Sequence, residues 1–241
     1  IDNFECGVAC PNPVAISADG EYITAGSNDN KVYLFDKDSS TPLWNYETGY
    51  HVNSVAISAD GEYIVAGSYD DKVYLFNKDS STPLWSYTTG NGVESVSISA
   101  DGEYIAAASA DDKVYLFDKD SNTPLWTYET DDEDFTSVDI SANGEYIAAN
   151  AYNEIYLFDK DSSTPLWIYE SNGYGANGNY DTATVISENG EYILSGLYVS
   201  GYNYGKVYLF SKDSGTPLWN YNTDTYGQIW GTDISSDGTY L

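Results

Sequence analysis

The stretch Lys72-Val73-Tyr74-Leu75-Phe76-Asn77-Lys78-Asp79-Ser80-Ser81-Thr82-Pro83-Leu84-Trp85 decides how the rest of the chain is read, because it returns with small edits from one end to the other. Its last residue recurs as Trp44, Trp85, Trp126, Trp167 and Trp219, at spacings of 41, 41, 41 and 52 residues. A unit of about forty residues, repeated and once enlarged, marks a repeat architecture.

Within the stretch, Val73 to Phe76 is apolar or aromatic on both faces, as a strand in a sheet covered on both sides requires. Lys78-Asp79-Ser80 then offers short polar side chains that bond their own backbone in turns. Pro83 is expected to open the next strand, where its missing N–H is tolerated, and Leu84 and Trp85 to resume burial. Upstream, each unit opens with a small-residue strand and a hairpin, at 16–23, 57–64, 98–105, 140–147, 186–193 and 234–241. All six hairpins carry Asp-Gly or Asn-Gly, residues that tolerate the positive φ of a tight turn.

A unit therefore holds four strands, expected in the second copy at 54–58, 62–68, 72–76 and 84–87. Their side chains are graded: Ser and Ala in the first, Ala and Gly in the second, Tyr, Leu, Phe and Trp in the third and fourth. A sheet thin at one edge and thick at the other is a wedge, and wedges arranged radially make a β-propeller. The fold class expected is all-β, a β-propeller of four-stranded antiparallel blades with five complete repeats plus the start of a sixth.

Residues 54–61, Ser-Val-Ala-Ile-Ser-Ala-Asp-Gly, followed by Gly67 to Phe76, resemble a WD-repeat blade. The run Lys113 to Asp120 ending in Leu125-Trp126 is similar to the tryptophan-docking repeat of quinoprotein (PQQ-type) propellers. Both resemblances span 14–241 and both imply a propeller. Phe stands where the WD Trp belongs, the Gly-His signature is missing from most repeats, and Lys-Asp-Ser-Ser replaces the Thr-Gly of the quinoprotein turn.

Residues 1–13 form an N-terminal arm outside the pattern, and units begin near 14, 55, 96, 138, 184 and 232. The sixth stops at Leu241 inside its second strand, so the chain reads as a piece of a longer one, or as one that another chain completes. Cys6 and Cys10 are the only cysteines; four apart and unaccompanied, they are expected to form a short-loop disulfide, with two free thiols as the alternative. With abundant Tyr and no Met, an oxidisable pair points to an extracellular or cell-surface location.

Nine Lys against 38 acids, with no Arg, give a formal charge of −29, which repels nucleic-acid phosphate and anionic lipid alike. No apolar run approaches the length needed to span a bilayer, so the chain is not expected to cross a membrane by itself. The excess acid serves solubility or divalent-cation binding; no cofactor is expected, with calcium the one candidate.

Chemistry is hard to place. A sialidase needs an arginine cluster, a quinoprotein enzyme needs groups for an anionic cofactor and calcium outside the repeat consensus, and no G-x-S-x-G elbow is present. His51 is the one imidazole and reads as a surface residue in a connection. Asp29, Asp70 and Asp111 recur in three copies, and the set Asp38, Asp79, Asp120, Asp161 and Asp213 in all five, as turn formers do.

Irregularity is the informative feature. The Trp-to-Ile interval between units is 13, 13 and 14 residues, then 19 for Trp167 to Ile186, through a loop with Tyr174 and Tyr180. The connection between the second and third strands of the fifth unit also grows, through Tyr198, Tyr202 and Tyr204. In a four-strand meander both insertions fall on one face, beside the acidic 131–134 loop, and such insertions commonly mark a binding face. Tyr with Gly and Asn suits adaptable recognition. The expected function is therefore non-enzymatic: a secreted or cell-surface structural, adhesive or assembly module, whose partners are protein subunits of a surface assembly or filament. A lectin-like propeller binding carbohydrate or peptide through the same five tyrosines is the alternative, and a quinoprotein-type enzyme fragment the third reading.

Overall fold

The computed structural model of this chain describes residues 13–131, 133–171, 183–199, 204–223, 229 and 231–240. Every regular element among them is a strand, and the strands form five four-stranded antiparallel sheets, each a meander in chain order. The blades span 14–47, 52–88, 93–129, 135–170 and 183–222, numbered 1 to 5 below. In blade 2 the strands are Val52–Ile57, Tyr63–Ser68, Lys72–Asn77 and Trp85–Thr88, within two residues of the positions expected from sequence.

First strands of successive blades lie side by side around the axis, which is why they are built from small residues. A first strand at the axis has an unpaired inner edge, and unpaired backbone groups are costly when buried. Serine hydroxyls of the preceding blade resolve this. The Val96 N–H donates to Ser54 Oγ (3.0 Å), Val138 N–H to Ser95 Oγ (3.2 Å) and Thr184 N–H to Ser137 Oγ (3.1 Å). The hairpins add a second tie from blade to blade: Ala18 N–H donates to the Ala59 carbonyl, Ala59 to Ala100, Ala100 to Ala142 and Ala142 to Glu188, all at 2.9 to 3.1 Å.

At the wide end the tryptophans do the joining. Trp44 Nε1–H donates to the Lys78 carbonyl of the next blade at 2.7 Å, Trp85 to Lys119 at 2.7 Å, Trp126 to Lys160 at 2.8 Å and Trp167 to Lys212 at 2.8 Å. Each indole also lies 5.2 to 5.4 Å from the next blade's Phe76, Phe117, Phe158 or Phe210. Trp219, the fifth of the series, is 40% exposed.

Leu84 does not resume burial as its sequence suggests. Leu43, Leu84, Leu125, Leu166 and Leu218 are all more than half exposed, because the outermost strand has no sheet beyond it to cover a side chain that points away from the blade. Pro83 correspondingly precedes the strand rather than opening it. The sixth unit keeps its hairpin, with Gly238 N–H on the Ser235 carbonyl at 2.8 Å and Ser235 N–H on Tyr240 at 2.9 Å, but no ladder is formed over 231–240.

The turn glycines are held by two constraints. Gly102 has φ +74°, and a Cβ there would lie 2.5 Å from Cδ2 of Tyr63, whose ring covers the turn from the preceding blade. Gly20 has the same φ, yet its nearest neighbour would be Ile16 Cδ1 at 4.0 Å. Gly102→Ala should therefore lose about 2–4 kcal/mol and Gly20→Ala only about 1 kcal/mol in urea unfolding, the difference being the ring that has to move. Equal losses would mean that backbone strain alone governs both sites.

Candidate functional site

Connections between blades and connections from second to third strand meet at one end of the propeller. Tyr69 N–H donates to the His51 carbonyl at 2.9 Å, Ala110 N–H to Gly92 at 3.0 Å and Thr48 N–H to Asn30 at 2.8 Å. The two connection types thus form one face, as the meander requires. Asn30, Asp71, Asp112 and Tyr152 take positive φ in these turns; Asn and Asp tolerate it, whereas a bulky Tyr at φ 44° is strained.

The recurring Asp29, Asp70 and Asp111 are structural parts of this face. Tyr74 Oη–H donates to Asp70 Oδ2 (2.6 Å), which also accepts the Gly49 N–H of the preceding blade (2.6 Å); Tyr115, Gly90 and Asp111 repeat the arrangement. The tyrosines respond as donors to carboxylates should. The Asp29 hydrogen bond pushes Tyr33 up to about 12, and burial, with the aspartate bond second, raises Tyr74 and Tyr115 further. The second recurring set lies at the opposite end, where Asp38, Asp120, Asp161 and Asp213 pair with the adjacent lysine at 2.7 to 3.1 Å. The same lysines reach Glu21, Glu103, Glu145 and Glu191, while Lys78 pairs with Glu62, so much of the chain's positive charge is spent there.

Blade 4 departs from its neighbours on the connection face. Its third strand opens with Glu154, where the other blades have Lys31, Lys72, Lys113 and Lys206, and Glu154 stands in register opposite Glu170. In blade 3 the same register pairs Lys113 with Glu129, at 3.3 Å. Like charges directly opposite are destabilising. Glu133 lies close by: burial first, then the charges of Glu154 and Glu170, raise its carboxyl above the usual range. Glu at 154, against Lys at the same repeat position in the other four blades, is the sequence signal by which this acidic corner could have been found. Among the described residues no group of three or more His, Cys, Asp or Glu is placed to hold a metal ion.

Over blades 1 to 3 the same face carries aromatics. Tyr50 and Tyr69 are 51% and 40% exposed. Tyr69 Oη–H donates to Glu94 (2.8 Å), which also receives Asn53 Nδ2 (3.1 Å). His51 is not the plain surface residue its isolation suggests: it is half-buried, its ring 4.1 Å from that of Tyr50, with an Nδ1 that is out of solvent and without a partner among the described residues.

Of the tyrosines singled out from sequence, Tyr174, Tyr180 and Tyr202 lie outside the described residues, as do Cys6 and Cys10. Tyr198 and Tyr204 are not loop residues. Tyr198 pairs with Gly205 and Val199 with Tyr204, so the strands Tyr192–Val199 and Tyr204–Ser211 extend into the insertion. The backbone ladder simply continues where a long connection allows it.

A second feature lies on the axis. Asp139, on the first strand of blade 4 (Phe135–Ile140), accepts hydrogen bonds from Ser97 Oγ of blade 3 (2.7 Å), from its neighbour's Ile140 N–H (2.9 Å) and from Ile186 N–H of blade 5 (2.9 Å). Its counterparts in blades 2 and 3 are Ala56 and Ser97. Burial pushes its carboxyl up to about 6, against those three hydrogen bonds, and the charge of Asp233 adds to the rise.

Residues 70–235 match the family model described as outer membrane protein assembly factor BamB, and residues 12–36 and 41–77 match the model of the WD domain, G-beta repeat. No curated protein matches the chain.

Proposed function

Since the chain belongs to the propeller-repeat family described as outer membrane protein assembly factor BamB, we propose that it is a protein-docking module of an extracellular or cell-surface assembly and catalyses no reaction. One observation carries this: the four inter-blade joints repeat the same indole–carbonyl and ring contacts, whereas the connection face changes from blade to blade. A rigid frame under a variable face is how binding surfaces are usually built. Exposed tyrosine with adjacent carboxylate suits a partner that brings backbone amides and basic side chains, since an aromatic face attracts cations and gives large contact area at low entropy cost. No helix among the described residues is long and apolar enough to cross a membrane.

The test uses Tyr50→Ser combined with Tyr198→Ser, Tyr202→Ser and Tyr204→Ser. Tm should stay close to that of the parent, while the proteins that co-purify with the parent from its native source should be lost. Undiminished co-purification by the quadruple variant would refute the docking face. Retention on immobilised glycans, abolished by the same changes, would instead support the lectin-like alternative.

A further inference from the structure

The outer half of each inter-blade joint is nearly the same. Indole-to-carbonyl distances are 2.7 to 2.8 Å and indole-to-phenyl distances 5.2 to 5.4 Å at all four joints. Such a joint cannot tell one blade from another. A chain of near-identical units is thereby exposed to a specific error, in which a blade seats on the wrong neighbour or on a blade of another copy. Discrimination has to come from the inner half.

At three joints the second strand packs on the next blade's first strand through apolar groups. A side chain at Gly26 would meet Val52, one at Gly67 would meet Val93 and Val96, and Ala108 packs in one cluster with Phe135 and Val138. The joint between blades 4 and 5 is different. Asn150 replaces Gly26, Gly67 and Ala108; Thr184 replaces Val55, Val96 and Val138; Ser195 replaces Ala66, Ala107 and Ala149. Asn150 and Ser195 are fully buried and Thr184 is 2% exposed. Thr184 Oγ1–H donates to Asn150 Oδ1 at 2.7 Å, Ser195 Oγ lies 3.2 Å from the same oxygen, and the two hydroxyls are 2.9 Å apart. Asn150 Nδ2 has no partner among the described residues.

A buried amide whose NH2 group is unpaired is not a stabilising device, because an unsatisfied buried polar group costs more than a typical hydrogen bond returns. We propose that the buried Asn150–Thr184–Ser195 contact is the key that seats blade 5 on blade 4 and on no other blade. Both wrong seatings are penalised. Any of blades 2, 3 or 4 placed on blade 4 presents Val55, Val96 or Val138 to Asn150 and leaves its carbonyl unpaired as well. Blade 5 placed on blades 1, 2 or 3 sets the Thr184–Ser195 hydroxyl pair against Gly26, Gly67 or Ala108; the two hydroxyls still bond each other, but the second O–H loses the acceptor that Asn150 Oδ1 supplies. Polar groups that cost stability while fixing register are a known use of such contacts.

Two full-length variants test this by refolding from denaturant at micromolar concentration, followed by size-exclusion chromatography with light scattering. The consensus variant Asn150→Gly, Thr184→Val, Ser195→Ala should keep or raise Tm and yield several-fold more interlocked dimer than the parent. A decoy variant, Val96→Thr with Ala107→Ser, gives blade 3 the two hydroxyls of blade 5 and leaves Asn150 intact; it too should raise the interlocked fraction several-fold. If the consensus variant folds and returns monomer in the parent's proportion, the key is refuted. If it fails to fold, the contact is needed for stability and the proposal also falls. A decoy that refolds cleanly to monomer counts against it independently.

Discussion

Replacing Trp85 by Ala should destabilise the chain by about 3–5 kcal/mol, the range for deleting a large aromatic from a packed site. Three losses coincide: the hydrogen bond from Nε1 to the Lys119 carbonyl, the contact with Phe117, and the closure that Trp85 gives to the apolar cluster between blades 2 and 3. The carbonyl left behind is one that no other side chain of blade 2 is seen to reach, so its lost bond adds to the cavity. Trp219→Ala is the internal control. The residue is the same and the repeat position is the same, but the indole is 40% exposed, and surface truncations of this kind usually stay near 1 kcal/mol or below. Denaturant unfolding of the two variants should therefore separate by a factor of three or more in lost stability. Comparable losses would show that the tryptophans stabilise their own blades and that the joint to the next blade contributes little.

That contrast also shows what the sequence made legible. The period, the Asp-Gly hairpins and the gradient of side-chain size were enough for the blade, its strand order and the burial of Trp85, because each depends on volume or backbone conformation, which residue type reports directly. The hydrogen-bonding uses of the same residues were hidden. Ser54, Ser95 and Ser137 read only as small residues of a first strand, yet they cap the inner edge of the next first strand, a role that exists only once blades are adjacent. Leu84 read as core because apolarity is visible and the lack of a covering layer is not. Glu154 and Asn150 were readable as departures from their repeat positions, but their meaning depends on Glu170 opposite and Thr184 across the joint. In a repeat protein the residues that break the consensus carry information that the consensus cannot, and they are found by aligning the copies with one another.

Asp139 is the departure with the largest expected consequence in solution. Burial pushes its native carboxyl up to about 6, whereas an unfolded aspartate titrates at about 3.9. The folded state therefore binds this proton more readily than the unfolded state does. Stability contributed by the protonated form is fully present below about pH 4 and is lost as pH rises through about 6, the reverse of a salt-bridged aspartate. The gap between the folded and unfolded values corresponds to about 3 kcal/mol at most, reduced by whatever the axial opening lets water reach. Asp139→Ser isolates it. Ser97, one blade earlier at the same repeat position, reaches the Ile140 N–H at 3.4 Å, so a serine at 139 has a precedent for capping Ile186 N–H without a charge. Unfolding free energies of parent and variant, measured from pH 4 to pH 7.5, should diverge: the parent should lose stability through that window relative to the variant, by about 2–3 kcal/mol in total. Subtracting the two curves removes the contribution of the other carboxylates, which both proteins share. A difference that stays flat with pH would place the Asp139 titration outside the window, and a difference of opposite sign would mean that the three hydrogen bonds it accepts outweigh its burial.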